Sequence, residues 1–280
     1  MVSLDHLAAL DLLQWLGTTE RAAAQAFTNQ STISRRHRTT LETFGLQLLR
    51  SRDGLRLQGA KQLLALERRV HQCARFAGLQ PLRVQVPFWS SNLLCKTLPD
   101  GWCANPALMG VVCQDPVALL RDRVVDACIV TPTQLPSATD DLLLLDLYRR
   151  PIEFTVFATA SGLAASELGC GCLEPSRWQL QLLPFLPRSC RERSWQWFQA
   201  LQAPATAHHA QDEALTPMPV AFLTPEMRQA QARPCRVSDA VDPYPYVERL
   251  AVLAENASEP ALQRLQEHLL AQAAPLGAAL

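Results

Sequence analysis

Two short runs of alternating apolar and polar residues, 46–50 and 55–57, stand on either side of Asp53-Gly54 near the start of this chain of 280 residues. An Asp-Gly pair between such runs predicts a β-hairpin, because the turn needs residues that accept a positive φ. Residues 4–44, which precede the hairpin, have a helical pattern. Few arrangements place one tight hairpin directly after a group of helices, so this order strongly limits the fold of the N-terminal region.

Three helices are predicted before the hairpin. Leucine recurs every three residues over 4–16, as on an amphipathic helix that ends near Gly17. Thr18 or Thr19 can cap a second, short helix, and Asn29 can cap a third. Helix, short helix, tight connection and basic helix is the order of a helix-turn-helix unit, and the hairpin after it predicts the winged form.

The third predicted helix carries one polar and basic face. With 100° per residue counted from Ile33, the residues that point away from the core include Arg35 and Arg38. Such an arginine suits a bidentate contact to guanine or a phosphate clamp, and a merely solvated basic face is the alternative. Arg36 lies to one side, where it serves either a phosphate or a surface ion pair. The residues predicted to contact DNA are Asn29, Gln30, Ser31, Ser34, Arg35, Arg36, Arg38, Arg50, Arg52 and Arg56.

The formal net charge of +0 conceals an uneven distribution along the chain. Residues 1–80 hold 11 Lys and Arg against 6 Asp and Glu, whereas residues 81–280 hold 15 against 20. A basic first part joined to an acidic remainder indicates an N-terminal unit that meets a polyanion. Together with the helix-turn-helix pattern, this predicts double-stranded DNA as a partner.

A heptad-like stripe follows the hairpin within residues 59–78. Its members, spaced by three, four, three and four residues, are Leu63, Leu66, Val70, Cys73 and Ala77. This spacing predicts a helix that pairs with the same helix of a second copy, and packing of the stripe onto its own domain is the alternative. The sequence therefore predicts a homodimer formed through residues 59–78.

Several stretches between Thr18 and Gln72 follow one another in an order that characterises a protein family. They are Arg21-Ala-Ala23, Asn29-Gln-Ser-Thr-Ile-Ser-Arg35, Leu41-Glu-Thr-Phe-Gly45, Leu48-Leu49 and Gly54-Leu-Arg-Leu57. In this order they resemble the LysR-type transcriptional regulators. The resemblance implies a winged helix-turn-helix DNA-binding domain at 1–58, a dimerisation linker helix at 59–78 and a regulatory domain at 79–280.

The same resemblance implies the fold class and the activity. The expected fold is α/β, with a regulatory domain of the type 2 periplasmic-binding-protein kind whose two lobes hold a small-molecule effector. The expected activity is sequence-specific binding of duplex DNA by the dimer, modulated by that effector. The regulatory domains can further join dimers into a homotetramer.

The chain departs from the family pattern in its DNA-binding domain. Residues smaller or more polar than usual stand at Thr19, Ala26, Thr28, His37 and Thr40. The core of this domain is therefore expected to be underpacked. His37 is either buried against a backbone carbonyl or partly exposed, and Gln58 replaces the threonine that usually caps the linker helix. These departures leave open a dimeric ligand-binding or interaction protein that has this architecture and has lost specific DNA binding.

The regulatory region begins with alternating strands and helices. Residues 81–86, 109–113 and 127–130 are predicted strands, and Asp115-Pro116 is the predicted start of a helix before the third of them. This order indicates a parallel α/β sheet with a ligand crevice at the carboxyl ends of its strands. The candidate effector contacts, which follow the first and third strands, are Ser90, Ser91, Thr131 and Thr133.

The position of these candidates after a strand indicates which kind of effector they contact. Residues 90–92 can open a helix whose free backbone N–H groups favour an anionic effector. Each hydroxyl has an alternative role as a helix cap or turn residue. The segment between Ser91 and Asn105 is short for the family, which implies an altered pocket. A second lobe, a returning strand and a closing helix are predicted from 177–187, 191–201, 218–231, 244–253 and 260–273.

The sequence gives little indication of a redox, metal, cofactor or catalytic site. The nine cysteines contain no C-x-x-C pair and are predicted to be reduced core residues, although Cys170 and Cys172 leave a redox pair open. No cofactor, metal site or catalytic motif is predicted, and His208-His209 is expected to be exposed. The chain has no apolar run of about 18 residues and no basic signal at its N-terminus, so a cytoplasmic location away from the membrane is expected.

Overall fold

The computed structural model describes residues 2–51, 54–87, 90–91, 94–105, 115–157, 178–180, 218–223, 228, 235–237 and 244–274. The chain divides into two compact units. The first unit comprises residues 1–147 and 248–277, and the second comprises residues 148–247 and 278–280.

Three helices and a hairpin form the N-terminal part, as predicted. They are α1 (Leu4–Leu16), α2 (Thr19–Gln25), α3 (Gln30–Phe44), β1 (Gln47–Ser51) and β2 (Gly54–Gln58). Thr18, and not Thr19, caps α2, while Asn29 caps α3; each side-chain oxygen accepts a bond from a backbone N–H of the first turn. Helices α1 and α3 end at Gly17 and Gly45, whose φ angles of +78° and +62° lie in the left-handed region that glycine favours.

An apolar cluster fastens the hairpin to the helices. Strands β1 and β2 pair antiparallel, with Leu48 opposite Leu57. Leu48 packs against the cluster, whose buried members are Leu7, Leu10, Leu46, Leu57 and Leu64. Because these leucines come from α1, the hairpin and the segment after it, the hairpin packs on α1, whereas Ala22, Ala23 and Ile33 of α2 and α3 belong to a second apolar cluster.

Hydrogen bonds take the place of apolar packing at two of the unusually polar positions. Thr40 of α3 is fully buried, and its hydroxyl oxygen lies 2.9 Å from the carbonyl oxygen of His6 in α1 and 3.0 Å from that of Arg36. Nδ1 of His37 lies 2.9 Å from the carbonyl oxygen of Ile33. Of the alternatives considered for His37, a histidine bonded to a backbone carbonyl is therefore the one present.

We expect Thr40→Val to lower the free energy of unfolding by about 1 kcal/mol, because a valine of similar shape loses the bond between α3 and α1. Thr39→Val is the matched control, since the exposed Thr39 hydroxyl bonds to the Arg35 carbonyl of its own helix. Urea unfolding followed by circular dichroism measures both variants. Equal stabilities would show that the bond between the two helices contributes nothing.

The helix α4 (Gln62–Phe76) has two different faces. It starts at Gln62, after Lys61, which makes no side-chain cap bond; Gln58, expected at the cap position, is instead the last residue of β2. The stripe residues Leu63, Leu66 and Val70 are 67%, 62% and 57% exposed, so the stripe does not pack onto its own domain. The opposite face of α4 is buried and mostly polar, and comprises Leu64, Arg68, His71, Gln72 and Arg75.

Buried ion pairs hold this polar face, and the sequence pattern did not predict them. Arg75 donates two hydrogen bonds of 2.8 Å to the carboxylate of Asp126, one from Nε and one from Nη2. Asp126 is fully buried, and its carboxylate also accepts bonds from the Gln72 amide and the Arg83 backbone N–H. Burial lowers the pKa of Arg75, but the Asp126 carboxylate outweighs burial, so the pKa of Arg75 is raised.

Buried polar contacts also reach α1. Nε of Arg68 donates to Oδ1 of Asp11 at 2.9 Å, and Nη1 of Arg83 lies 3.6 Å from Oδ2 of the same carboxylate. Nε1 of Trp15 donates to Oε1 of Gln85 at 2.7 Å. The first helix of the helix-turn-helix is therefore joined by buried polar contacts to α4 and to residues 83 and 85.

The remaining elements, in chain order, are β3 (Leu82–Gln85), β4 (Trp102–Ala104), α5 (Pro116–Arg121), β5 (Ala127–Val130), β6 (Leu142–Phe157), β7 (Trp178–Leu180), β8 (Met218–Leu223), β9 (Cys235–Val237), β10 (Tyr244–Leu253) and α6 (Pro260–Ala273). In the first unit β4, β3 and β5 are parallel neighbours in that order, and β10 pairs antiparallel with β5. The predicted strands at 81–86, 127–130 and 244–253 and the helix at 260–273 are confirmed, and Asp115 caps α5. The strand expected at 109–113 lies outside the described residues.

The second unit contains its own strand pairs. Strand β8 pairs antiparallel with β6 and parallel with β7, and β9 pairs antiparallel with β6. The strands expected within 177–187 and 218–231 are therefore present as β7 and β8. The helix expected at 191–201, the Cys170 and Cys172 pair and His208-His209 lie outside the described residues.

Cys73, Cys95, Cys103 and Cys128 are free thiols, as expected. Cys128 is buried, Cys95 and Cys103 are partly buried, and Cys73 is exposed and therefore not a core residue. Burial raises the pKa of Cys103 to about 11 and that of Cys95 to about 12, so both remain protonated at neutral pH. Within the described residues, no helix has the length and apolar character needed to cross a bilayer.

Candidate nucleic-acid interface

Polar side chains form the outward face of α3. Ile33 is fully buried, so the face counted from it points away from the core as the helical period predicts. Ser34 is half-buried, and the exposed candidates are Asn29, Gln30, Ser31, Arg35 and Arg38. A helix that presents such a face beyond its domain is suited to the major groove of duplex DNA.

Local hydrogen bonds order the N-terminal end of this face. Oδ1 of Asn29 accepts bonds from the Thr32 N–H at 2.8 Å and from the Ser31 hydroxyl at 2.7 Å. Nη2 of Arg35 lies 3.5 Å from the Thr32 hydroxyl, which is a long and weak contact. The Arg35 guanidinium can therefore turn to a base edge or a phosphate at little cost.

Arg36 is engaged beside the face. Its Nη2 lies 2.9 Å from Oδ2 of Asp5 in α1, and both side chains are partly exposed. A pair of this kind contributes little to stability. Of the two roles considered for Arg36, the surface ion pair is the one present.

The hairpin carries arginines on both of its faces. Arg56 stands opposite Leu49, and Arg50 stands opposite Leu55. Since side chains alternate along a strand, Arg50 and Arg56 lie on opposite faces, and both residues are exposed. Arg52 lies outside the described residues. Exposed basic residues thus lie on either face of the hairpin.

The two serines proposed as effector contacts differ in surroundings. The N–H groups of Ser90 and Ser91 both donate to the Pro87 carbonyl oxygen, each at 3.1 Å, so the expectation that they are free to hold an anion is wrong. Ser90 is fully buried, and its hydroxyl donates to the carboxylate of Glu248, which is also fully buried. A carboxylate beside Ser90 opposes an anionic ligand at that hydroxyl. Ser91 is half-buried.

The threonines after β5 occupy the same edge of the sheet. The parallel register of β3 and β5 places Thr131 at the carboxyl edge near Ser90. The N–H and the hydroxyl of Thr131 both donate to Oε1 of Gln134, at 3.0 and 3.2 Å, so Thr131 closes a turn as its alternative role predicted. The side chain of Thr133 lies outside the described part of the chain.

Sequence reasoning missed the buried charged residues that join α1 to α4. Asp11 interrupts the leucines of α1 between Leu10 and Leu12, and this charged residue at a buried position was the available signal for its pairing with Arg68. In the part of the chain that the structure describes, no group of His, Cys, Asp and Glu side chains is arranged to hold a metal ion.

Comparison with known proteins gives matches among solved structures. No protein-family model and no curated protein matches the sequence. Full-length OxyR from Pseudomonas aeruginosa is 17% identical, covers 96% of this chain and 98% of its own, and has a TM-score of 0.50. ArgP from Mycobacterium tuberculosis, 12% identical, covers 98% of this chain and 97% of its own at a TM-score of 0.48. CrgA from Neisseria meningitidis, a LysR-type transcriptional regulator, is 15% identical and covers 99% of this chain and 100% of its own at a TM-score of 0.41.

The likeness to OxyR extends over nearly the whole of both chains. It agrees with the capped helices, the hairpin and the α/β sheet described above. An identity of 17% supports a likeness of fold and nothing further. The chain therefore resembles the LysR-type transcriptional regulators as the sequence indicated, and it has their full-length fold: a winged helix-turn-helix, a linker helix and a type 2 periplasmic-binding-protein-like α/β domain.

Proposed function

We propose that the chain is a DNA-binding transcriptional regulator of LysR type and not an enzyme. Residues 1–58 bind duplex DNA, residues 59–78 form the dimer, and residues 79–280 bind a small-molecule effector. The observation that carries the proposal is the exposed polar face of α3, on which Gln30, Arg35 and Arg38 stand above a buried Ile33. In this proposal α3 enters the major groove, and the hairpin arginines meet the phosphate backbone.

The exposed stripe of α4 supports a dimer. Leu63, Leu66 and Val70 leave an apolar strip in water on a helix whose other face is already buried in its own chain. A helix with heptad spacing covers such a strip by pairing with a second copy. Two winged helices would then bind two half-sites of one operator. Regulatory domains can join such dimers into a homotetramer.

The effector is proposed to bind at the carboxyl edge of β3 and β5. Ser90, Ser91, Thr131 and Thr133 remain its candidate contacts, although Ser90 and Thr131 are already engaged with Glu248 and Gln134. Because the buried Glu248 carboxylate lies at this edge, a ligand that offers hydrogen-bond donors suits it better than an anion.

Arg35→Ala tests the role of the recognition helix. We expect it to weaken operator binding by about 1–3 kcal/mol and to relax sequence preference, because a base or phosphate contact is lost. The measurement is binding of the purified protein to genomic DNA fragments that include its own upstream region, followed across a salt series. Several arginine–phosphate contacts give a steep fall of affinity with salt, about 0.9 log unit per contact for each log unit of salt.

Arg264→Ala is the matched control. Arg264 is an exposed arginine on the helix α6, so the variant loses the same charge away from α3. Equal affinities of the two variants for the operator would remove the recognition-helix assignment. Weak, sequence-blind and salt-insensitive binding by a stable wild-type dimer would instead favour the second hypothesis, a ligand-binding or interaction protein that has lost specific DNA binding.

A further inference from the structure

A cavity of about 210 Å³ lies beside the helix-turn-helix within the first unit. Its apolar wall includes Leu12 of α1, Ala26 at the end of α2 and Ile33 of α3. The other lining residues include Gln80, Pro81, Arg83 and Cys103, at or just before the strands β3 and β4. Small residues such as Ala26 stand where the resemblance led us to expect larger apolar ones, and the cavity lies at that place.

The charged residues of the wall are Asp5, Arg36 and Arg83. Asp5 and Arg36 pair with each other at 2.9 Å and balance in charge. Arg83 is almost fully buried, and its Nη1 donates to the Val124 carbonyl oxygen at 3.0 Å. Among the charged residues of the lining, Arg83 is thus the one whose carboxylate neighbour, Asp11 at 3.6 Å, does not itself line the cavity.

The buried charged residues around α4 form a cluster in which buried guanidinium groups outnumber buried carboxylates. Arg68, Arg75 and Arg83 are all buried, and the buried carboxylates beside them are those of Asp11 and Asp126. Asp126 holds Arg75 at 2.8 Å and Asp11 holds Arg68 at 2.8 Å, whereas Arg83 stands 3.6 Å from Asp11. A third carboxylate, that of Asp122, also reaches Arg68 at 3.6 Å, but its side chain is 47% exposed and therefore screened by water. Burial and the neighbouring Arg75 lower the pKa of Arg83, which agrees with a shortage of negative charge.

Two further features mark the cavity. The side-chain oxygen of Gln80, a wall residue, is buried and has no hydrogen-bond partner within the described residues. Phe27, on the rim, is 97% exposed and has a φ of +49°, an unfavourable backbone conformation for an aromatic residue. Strained and unsatisfied groups that gather around one cavity are typical of ligand sites.

We propose that this cavity binds a small monocarboxylate with a compact apolar body, whose carboxylate pairs with Arg83 and whose body lies against Leu12, Ala26 and Ile33. The volume suits a ligand of about ten non-hydrogen atoms, since an apolar cavity of about 150 Å³ accommodates benzene. The bound molecule would touch α1, α2 and α3 on one side and residues 80–83 on the other. This site is distinct from the edge of β3 and β5 that holds Ser91 and Thr131.

The test uses the full chain and cyclohexanecarboxylate, with its neutral amide, cyclohexanecarboxamide, as the matched probe. Isothermal titration is expected to show saturable binding of the acid with a Kd of about 1 mM or tighter, and at least about tenfold weaker binding of the amide. No saturable binding of the acid, or equal binding of acid and amide, would overturn the proposal.

Two variants locate the site. Arg83→Met is expected to weaken binding of the acid at least about tenfold, because it removes the guanidinium of a residue that lines the cavity. Since Arg83 also belongs to the buried cluster, Ala26→Leu provides an independent variant that fills the cavity from α2 and leaves the cluster intact; the same loss is expected. Arg264→Met, which removes the same charge from the exposed surface of α6, is the control and should bind the acid as the wild type does. Full binding by Ala26→Leu, or loss of binding in Arg264→Met, would refute a site at this cavity.

Discussion

Asp126→Asn is expected to lower the free energy of unfolding of the chain by about 3–5 kcal/mol. The substitution keeps the shape of the side chain and removes the charge that faces Arg75. The Arg75 guanidinium then remains buried without the carboxylate that accepts its two 2.8 Å hydrogen bonds. A buried charge that loses its partner recovers little of its hydration, because water does not reach it.

Asp141→Asn is the control for this prediction. Arg121 donates to Asp141 through the same two nitrogens, at 2.8 and 2.7 Å, but the side chains are 36% and 48% exposed. The hydrogen bond from Arg121 lowers the pKa of Asp141, so the pair is fully charged at pH 7, and its contribution is lost as the pH falls through that lowered pKa. Urea unfolding at pH 7 should show a change within about 1 kcal/mol for this variant. Equal losses in the two variants would mean that burial does not set the strength of these pairs.

Leu66→Glu should weaken the proposed dimer about 100-fold or more. The leucine is 62% exposed in the middle of the α4 stripe, so the single chain tolerates a glutamate there. In a paired stripe the symmetry of a dimer brings in two such carboxylates, both taken out of water without a partner. A penalty of about 3 kcal/mol corresponds to the stated factor. Sedimentation over a range of protein concentrations measures the dissociation constant.

Leu79→Glu is the matched substitution outside the stripe. Leu79 is 68% exposed, beyond the last turn of α4, and is expected to leave the dimer unchanged. If both variants dissociate alike, or neither does, the stripe is not the dimer interface. Weaker binding to a two-half-site operator should accompany the loss of the dimer, because each chain then holds one half-site alone.

Local chemistry explains which features could be predicted from the sequence. The caps at Thr18 and Asn29 and the pairing of Ser51 with Gly54 in the hairpin depend on residues within four positions of each other, and these elements appeared where expected. The outward face of α3 followed from the position of one apolar residue, Ile33, on a regular helix. The returning strand 244–253 and the closing helix 260–273 could also be predicted, because their patterns are local in the sequence.

The buried face of α4 was not predictable, because its partners are remote in sequence. Arg68 meets Asp11 across 57 residues, and Arg75 meets Asp126 across 51. Periodicity showed that α4 has an apolar and a polar side, and the ordinary expectation is that the apolar side is buried. In the single chain the reverse holds, because polar residues of α4 find buried partners while the apolar stripe remains exposed. Strand β4 was not predicted, because its three residues are too few to show an alternation of apolar and polar residues. The pair Asp100-Gly101 before it was the available signal, since it indicates a turn.

The division of the first unit into residues 1–147 and 248–277 sets an order of events during protein synthesis. The ribosome delivers β5 well before β10, which is its antiparallel neighbour in the finished sheet. At about 5–20 residues per second, synthesis of residues 148–247 takes roughly 5–20 s, during which this edge of β5 has no strand to pair with. An open edge of buried apolar residues such as Ile129 and Val130 invites pairing with other nascent chains. We therefore expect the yield of folded protein to depend on translation speed and on chaperones that shield β5 until β10 emerges.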